Sequence, residues 1–212
     1  MNGVKIELKN IGKKFGRRRI FEGVNFVFEN GAPKGIAGHN GAGKSTLIKI
    51  IANVISPTDG EVLYFQGENE IVKEKIFERV GFVAPYLVFY GEFSPLENLR
   101  FISQIRGAAF DENRAEELLA RFNIYKRRND YLKGFSSGML QRMKFVFALY
   151  HNPDFVLLDE PTSNLDDEGK RAVYETAEEL AETKAVIIAS NEKNDLALCR
   201  DVLELEKYKR GK

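Results

Sequence analysis

"GHNGAGKST", residues 38–46, decides the fold. Gly38, Gly43, Lys44 and Ser45 satisfy the pattern GxxxxGK[ST], in which small residues let successive backbone N–H groups close around phosphate oxygens while a helix dipole adds positive potential. The pattern carries that meaning only between a strand and a helix, and the sequence supplies both. Lys34 to Ala37 reads as a short strand running into the loop, and Leu47, Ile48, Ile50, Ile51 and Val54 recur behind it with helical spacing. "SPTDGE" (56–61) is expected to end that helix.

The candidate phosphate-binding run is Gly38, Asn40, Gly41, Ala42, Gly43, Lys44, Ser45 and Thr46. In such a loop Lys44 reaches the β and γ phosphates, Ser45 ligates magnesium and Thr46 donates to the α phosphate. His39 sits where the loop tolerates many side chains and reads as structural. A second element, "FVLLDEP" (155–161), places Asp159 at the carboxyl end of a buried strand, where it can join the magnesium shell. Glu160 stands one residue further on, where a carboxylate can orient or deprotonate an attacking water. The alternative is that both acids cap a following turn.

Working outward, "VKIEL" (4–8) and "VNFVFE" (24–29) alternate as strands joined by a Gly/Arg-rich turn region. From about residue 85 to 152 the pattern is helical. Ser94 and Glu97 form a capping-box signature with Pro95 at the first helical position, and Gly107 can end that helix. Asp111 to Phe122 places Leu118, Leu119 and Phe122 on one face. "FVLL" (155–158) and "AVIIA" (185–189) are continuous apolar runs of the buried parallel kind, and the helix between them carries Val173, Thr176, Ala177 and Leu180 on one side. The expected fold is α/β of the P-loop NTPase (RecA-like) class. It has a mostly parallel sheet, an antiparallel β subdomain and an inserted helical subdomain. One domain spans 1–212, with 1–84 and 153–212 forming the nucleotide-binding core and 85–152 the helical insert.

Composition excludes several other classes. Lys+Arg 32 against Asp+Glu 31 leaves a formal charge of +1, so no nucleic-acid partner is expected. "GRRR" (16–19) and "YKRRND" (125–130) read as solvated turns. Cys199, the single cysteine, fits a reducing compartment. "MNGVKIELKN" has no apolar core of the signal-peptide kind, and "FVFALY" (145–150) falls far short of the roughly 20 residues that span a bilayer. Any membrane role is therefore expected to come through a partner.

What separates this chain from other phosphate-loop proteins is "FSSGMLQR" (135–142), about 17 residues before Asp159. Taken alone it is a serine-capped start to a helix bearing Leu140, Met143 and Phe147. In its position it resembles the LSGGQ signature of the ATP-binding cassette superfamily, with Ser136, Ser137 and Gly138 matching its central residues. The resemblance covers essentially the whole chain. It implies an ATPase that converts ATP and water to ADP and phosphate, with Glu160 and Lys44 catalytic. Phe15 of "KKFG" matches the aromatic that stacks on adenine, the alternative being a core aromatic. Ser163 to Asp166, "SNLD", looks like the loop that cross-links two cassettes, although Asp166 could equally cap the next helix. The resemblance further implies a head-to-tail pair of cassettes, homo- or heterodimeric, in which each ATP lies between one phosphate loop and the other chain's Ser136–Gly138.

Two residues depart from the family pattern. Pro85 in "GFVAPYLVFY" stands where a glutamine normally touches magnesium and the attacking water, with the Tyr86 hydroxyl or a water as possible substitutes. Asn191 in "VIIASNEKND" stands for the switch histidine, so an amide donates where an imidazole otherwise contacts the γ phosphate. Either these changes slow hydrolysis, or the rest of the site absorbs them. The leading expectation is the motor of a membrane transporter, peripheral on the inner face of the membrane, with a separate permease docking on the helical block near 85–107. The single-cassette length and "LENLRF" look similar to compact cassettes of haem export and cytochrome c maturation. A soluble iron-sulfur assembly or repair cassette and a slow regulatory subunit are the alternatives, which a neighbouring permease gene and partner-dependent turnover would separate from the motor.

Overall fold

A computed structural model describes residues 3–209. In chain order the elements are β1 (Val4–Phe15), β2 (Arg18–Glu29), β3 (Lys34–Ala37), α1 (Lys44–Ile51), β4 (Asp59–Gln66), β5 (Asn69–Glu70), α2 (Ile76–Arg79), β6 (Val80–Val83), α3 (Pro95–Ile105), α4 (Glu112–Arg121), α5 (Ser137–Leu149), β7 (Phe155–Asp159), α6 (Asp167–Ala181), β8 (Ala185–Ser190), α7 (Lys193–Ala197) and β9 (Asp201–Glu204). They form an antiparallel sheet ordered β2-β1-β4-β5 and a wholly parallel sheet ordered β6-β7-β8-β3-β9.

The parallel sheet separates two apolar layers, and its strand periodicity assigns the side chains. Phe155 and Leu157 of β7, with Ala185, Ile187 and Ala189 of β8, face a layer containing α1 and the antiparallel sheet. The alternate residues Val156, Leu158, Val186 and Ile188 face the other layer, formed by α3 to α6. A strand buried on both faces has no polar side to show, which explains the continuous apolar runs. The helical block thus shares one hydrophobic layer with the sheet that carries the phosphate loop.

Side-chain caps set the N-termini of α3 to α6. Ser94 and Glu97 make the reciprocal capping box, with Pro95 at the first turn, and Gly107 follows the last turn at φ 67°. Asp111 caps α4, whose apolar face is Ala115, Leu118 and Leu119 with Phe122 at the C-cap. In α6 the buried face is Val173, Thr176, Ala177 and Ala181, with Leu180 half-buried.

Three local expectations are corrected. The helix behind the phosphate loop stops at Ile51, where Asn53 turns the chain at φ 56°, so Val54 is exposed rather than on its apolar face. "SPTDGE" does not end it. Thr58 instead joins β1, its N–H donating to Gly12 O at 2.8 Å and its hydroxyl accepting from Lys14 N–H at 3.1 Å. Finally, the Gly/Arg-rich stretch between the first strands is itself mostly strand, since β1 and β2 pair out to Phe15 and Arg18.

Candidate functional site

The loop after β3 turns directly into α1. Gly43 stands at its N-cap with φ 107°, a left-handed backbone, and a Cβ there would lie 2.6 Å from Ile20 Cγ2. Both facts demand glycine. Asn40, Gly41, Ala42, Gly43, Lys44, Ser45 and Thr46 line one cleft together with Glu160, Arg18 and Ile20. Lys44 is buried, and its Nζ donates to Gly38 O at 2.9 Å and lies 3.1 Å from Glu160 Oε1. The buried amine is held on the loop axis beside the carboxylate instead of extending into solvent.

Asp159 ends β7 with no surface exposed, and neither of its carboxylate oxygens has a hydrogen-bond partner among the described residues. Burial pushes its pKa up, against the opposing pull of the neighbouring Ser45 hydroxyl and Lys44. An unpartnered buried carboxylate beside a hydroxyl at a phosphate loop is a donor set that suits a hard dication. Asp159 therefore caps no turn. Glu160 also departs from the capping alternative, because its side chain meets Lys44 and, at 3.2 Å from Oε2, the Ser190 hydroxyl. Its backbone is left-handed at φ 48°, and its N–H donates to Ala189 O at 2.8 Å.

Asn191, one residue past β8, reaches the loop, with Nδ2 donating to Asn40 Oδ1 at 3.3 Å. Phe15 is 53% exposed at the end of β1, so it is not a core aromatic, and Lys13 Nζ lies 4.9 Å from its ring centroid. Its ladder partner Arg18 lines the phosphate cleft. Arg18 and Arg19 also border an adjoining recess with Gly41 and Lys209. These cations were not legible as site residues, since "GRRR" carries no motif and its place depends on the hairpin folding over the loop.

Ser136, Ser137 and Gly138 stand apart from this cleft. Ser136 caps α5, accepting from Met139 N–H at 3.3 Å. Ser137 lines a groove of about 350 Å³ with Pro85, Lys144 and Asn164. The segment 163–166 packs onto this helix start so closely that a Cβ on Gly138 would lie 3.0 Å from Asn164 O. Asp166 does cap α6, accepting from Gly169 N–H at 2.9 Å, and also pairs with Arg142 of α5 at 2.6 Å. Pro85 offers only its carbonyl, to which the buried Lys144 donates at 3.0 Å. Tyr86 lies under Lys49 Nζ, 4.0 Å from the ring centroid, and burial with the charge of Asp159 pushes its phenol up to about 12. No helix among the described residues is long and apolar enough to cross a membrane.

Comparison with known proteins agrees with this geometry. The linearmycin resistance ATP-binding protein LnrL of Bacillus subtilis (strain 168) is 32% identical over 187 residues, 86% of this chain and 60% of its own length. The ABC transporter ATP-binding protein YybJ of the same organism, itself uncharacterised, is 30% identical over 203 residues, 94% of this chain and 92% of its own. Among solved structures, the dimeric bacterial ABC transporter cassette MJ0796 superposes with a TM-score of 0.81 at 26% identity, over 95% of each chain. The family profile described as ABC transporter matches residues 21–163, and the chain belongs to that family as an ATP-binding, ATP-hydrolysing cassette.

Proposed function

We propose that this chain is the motor subunit of a membrane transporter, driving a separate permease by closing and reopening a pair of cassettes around ATP. The observation that carries the reading is the meeting of Lys44, Ser45 and Glu160 in one cleft, with Asp159 buried beside Ser45, where β7 ends and α1 begins. Backbone N–H groups of Gly38 to Thr46 hold the phosphates, Lys44 neutralises the β and γ oxygens, and Glu160 orients the attacking water and takes its proton. Ser45 and Asp159 would hold magnesium, which when bound supplies positive charge to the phosphate oxygens. Phe15 packs on adenine, and Asn191 donates a hydrogen bond towards the γ phosphate.

The placement of Ser137 in a groove away from the chain's own phosphate cleft supports a two-chain site, completed by a second cassette's signature helix. The dimeric state of the similar bacterial cassette supports the same reading. We take 85–152 as the helical insert and as the permease's seat. Its exposed apolar residues Val88, Tyr90 and Ile105 support docking of an apolar segment there. A permease seated on them would hold the cassette at the inner face of the membrane. Relatives named for linearmycin resistance and for bacitracin transport support a transporter.

The deciding measurement is the mass in solution of the hydrolysis-blocked E160Q protein by light scattering. With magnesium and ATP it should double, and it should return to that of one chain when Ser137→Ala and Gly138→Asp are added. A mass of one chain under all conditions, with the permease present, overturns the reading.

A further inference from the structure

Asp195, on α7, is a carboxylate taken out of water, 1% exposed. Its oxygens are met by hydroxyls. Thr162 Oγ1 donates to Oδ1 at 2.8 Å, Tyr174 OH donates to Oδ1 at 2.9 Å, and Ser190 Oγ lies 2.7 Å from Oδ2. Charge-assisted hydrogen bonds of this kind are the means by which a buried carboxylate is tolerated. Tyr174 stays a donor, because burial and the neighbouring Asp195 push its phenol up to about 12. None of the roles assigned above uses this cluster.

Ser190 links it to the phosphate cleft. The side chain is fully buried and faces two carboxylates, Asp195 Oδ2 at 2.7 Å and Glu160 Oε2 at 3.2 Å, while Glu192 N–H donates to Ser190 Oγ at 3.0 Å. A hydroxyl has one proton to give. The shorter contact takes it, so Ser190 presents Glu160 with a lone pair.

We infer that Asp195 is a positioning residue for Glu160. By holding the Ser190 proton it leaves Glu160 Oε2 open to the attacking water, while Lys44 holds Oε1. The inference rests on the reading of Glu160 as the group that orients that water. Thr162 adds a second brace, fixing the turn two residues past Glu160 to the same carboxylate. The brace has work to do, since Glu160 has a left-handed backbone that a non-glycine residue keeps only when its surroundings hold it.

The test uses Asp195→Asn, which keeps an oxygen for Thr162 and Tyr174 but turns an N–H on Ser190 and so directs the Ser190 proton to Glu160. Turnover should fall about thirtyfold with the ATP dissociation constant unchanged. Ser190→Ala should lose about threefold, and the double variant D195N/S190A should recover to that same level instead of multiplying the two losses. A merely structural Asp195 predicts no recovery. Parent turnover in D195N, or a double variant as slow as D195N or slower, overturns the inference. Should D195N melt too low to assay, S190A decides alone, a loss of about threefold supporting the inference and about thirtyfold or more overturning it. E160Q separates the two layers. If it turns over ATP like the parent, the reading of Glu160 fails and this inference with it. If it is inactive while D195N/S190A stays slow, only the present inference fails.

Discussion

Lys44 and Glu160 form a salt bridge, Nζ to Oε1 at 3.1 Å, with the lysine 6% and the glutamate 25% exposed at their side chains. The two residues implied to bind the γ phosphate and to handle the attacking water therefore constrain one another. Replacing Glu160 by Gln keeps the shape, removes the proton acceptor and frees Lys44 from a competing anion. We expect turnover to fall by about 10²–10⁴-fold with ATP affinity equal to or above the parent's. Lys44→Ala should instead lose ATP affinity and leave Glu160 without its cation. Equilibrium binding beside steady-state turnover checks the split, and weakened binding in E160Q would contradict it.

The orphaned carboxylate of Asp159 makes a prediction about magnesium. Burial raises its folded pKa above the ordinary 3.8, so its contribution to stability is present below that value and is lost as pH rises through the folded pKa. Without magnesium, Asp159→Asn should therefore be more stable than the parent at pH 7, by about 1–3 kcal/mol, and no more stable near pH 3.5. Magnesium with ATP should raise the parent's Tm and leave that of D159N where nucleotide alone puts it. Thermal melts at the two pH values, with and without the cation, check both parts. An unstable D159N at pH 7 would mean that Asp159 has a protein partner.

Asp166 gives a stability prediction with an internal control. It caps α6 and pairs with Arg142, whose side chain is 11% exposed, while Asp166 itself is 66% exposed. An ion pair with so exposed a partner contributes little, so the cap should dominate. Asp166→Ala should cost about 1 kcal/mol and Asp166→Asn only a few tenths, because asparagine caps nearly as well. Urea denaturation of the three proteins measures this, and equal losses in both variants would assign the effect to Arg142.

The parts of this site legible in the sequence are those whose chemistry is local. The glycine loop, the acidic pair at the end of β7 and the Ser94–Glu97 box each depend on residues a few positions apart, and each forms as the spacing predicts. Contacts fixed by tertiary packing were invisible. Asp195 meets Thr162 across 33 positions and Lys144 meets the Pro85 carbonyl across 59, and nothing in "EKNDLA" or "MKFVFA" marks either residue. The end of α1 differs from its sequence expectation for a related reason. Val54 keeps the helical period by chance, and the backbone left that period at Asn53. Arg18 is solvated, as "GRRR" predicts, but the hairpin also brings it to the phosphate cleft.

His151 supplies a pH dependence away from the cleft. It follows α5, Nε2 lies 3.0 Å from Val80 O, and the ring borders a cavity of about 170 Å³ with Phe82, Ile102, Arg106 and Tyr150. Burial, then the charge of Arg106, pushes its pKa down to about 4, against the opposing bond to Val80. The folded chain thus prefers the neutral ring, whose N–H donates to the Val80 carbonyl. A depressed pKa contributes stability that is present above the ordinary 6.5 and is lost as pH falls through the folded value, so the window is about pH 6.5 to 4. His151→Gln keeps a donor for Val80 and has no proton to gain. Urea titrations at pH 7 and pH 4.5 should show the parent losing on the order of 2 kcal/mol more than H151Q between them, the carboxylates common to both proteins cancelling in the difference. Equal losses would place His151 in contact with water, where the ring charges without penalty.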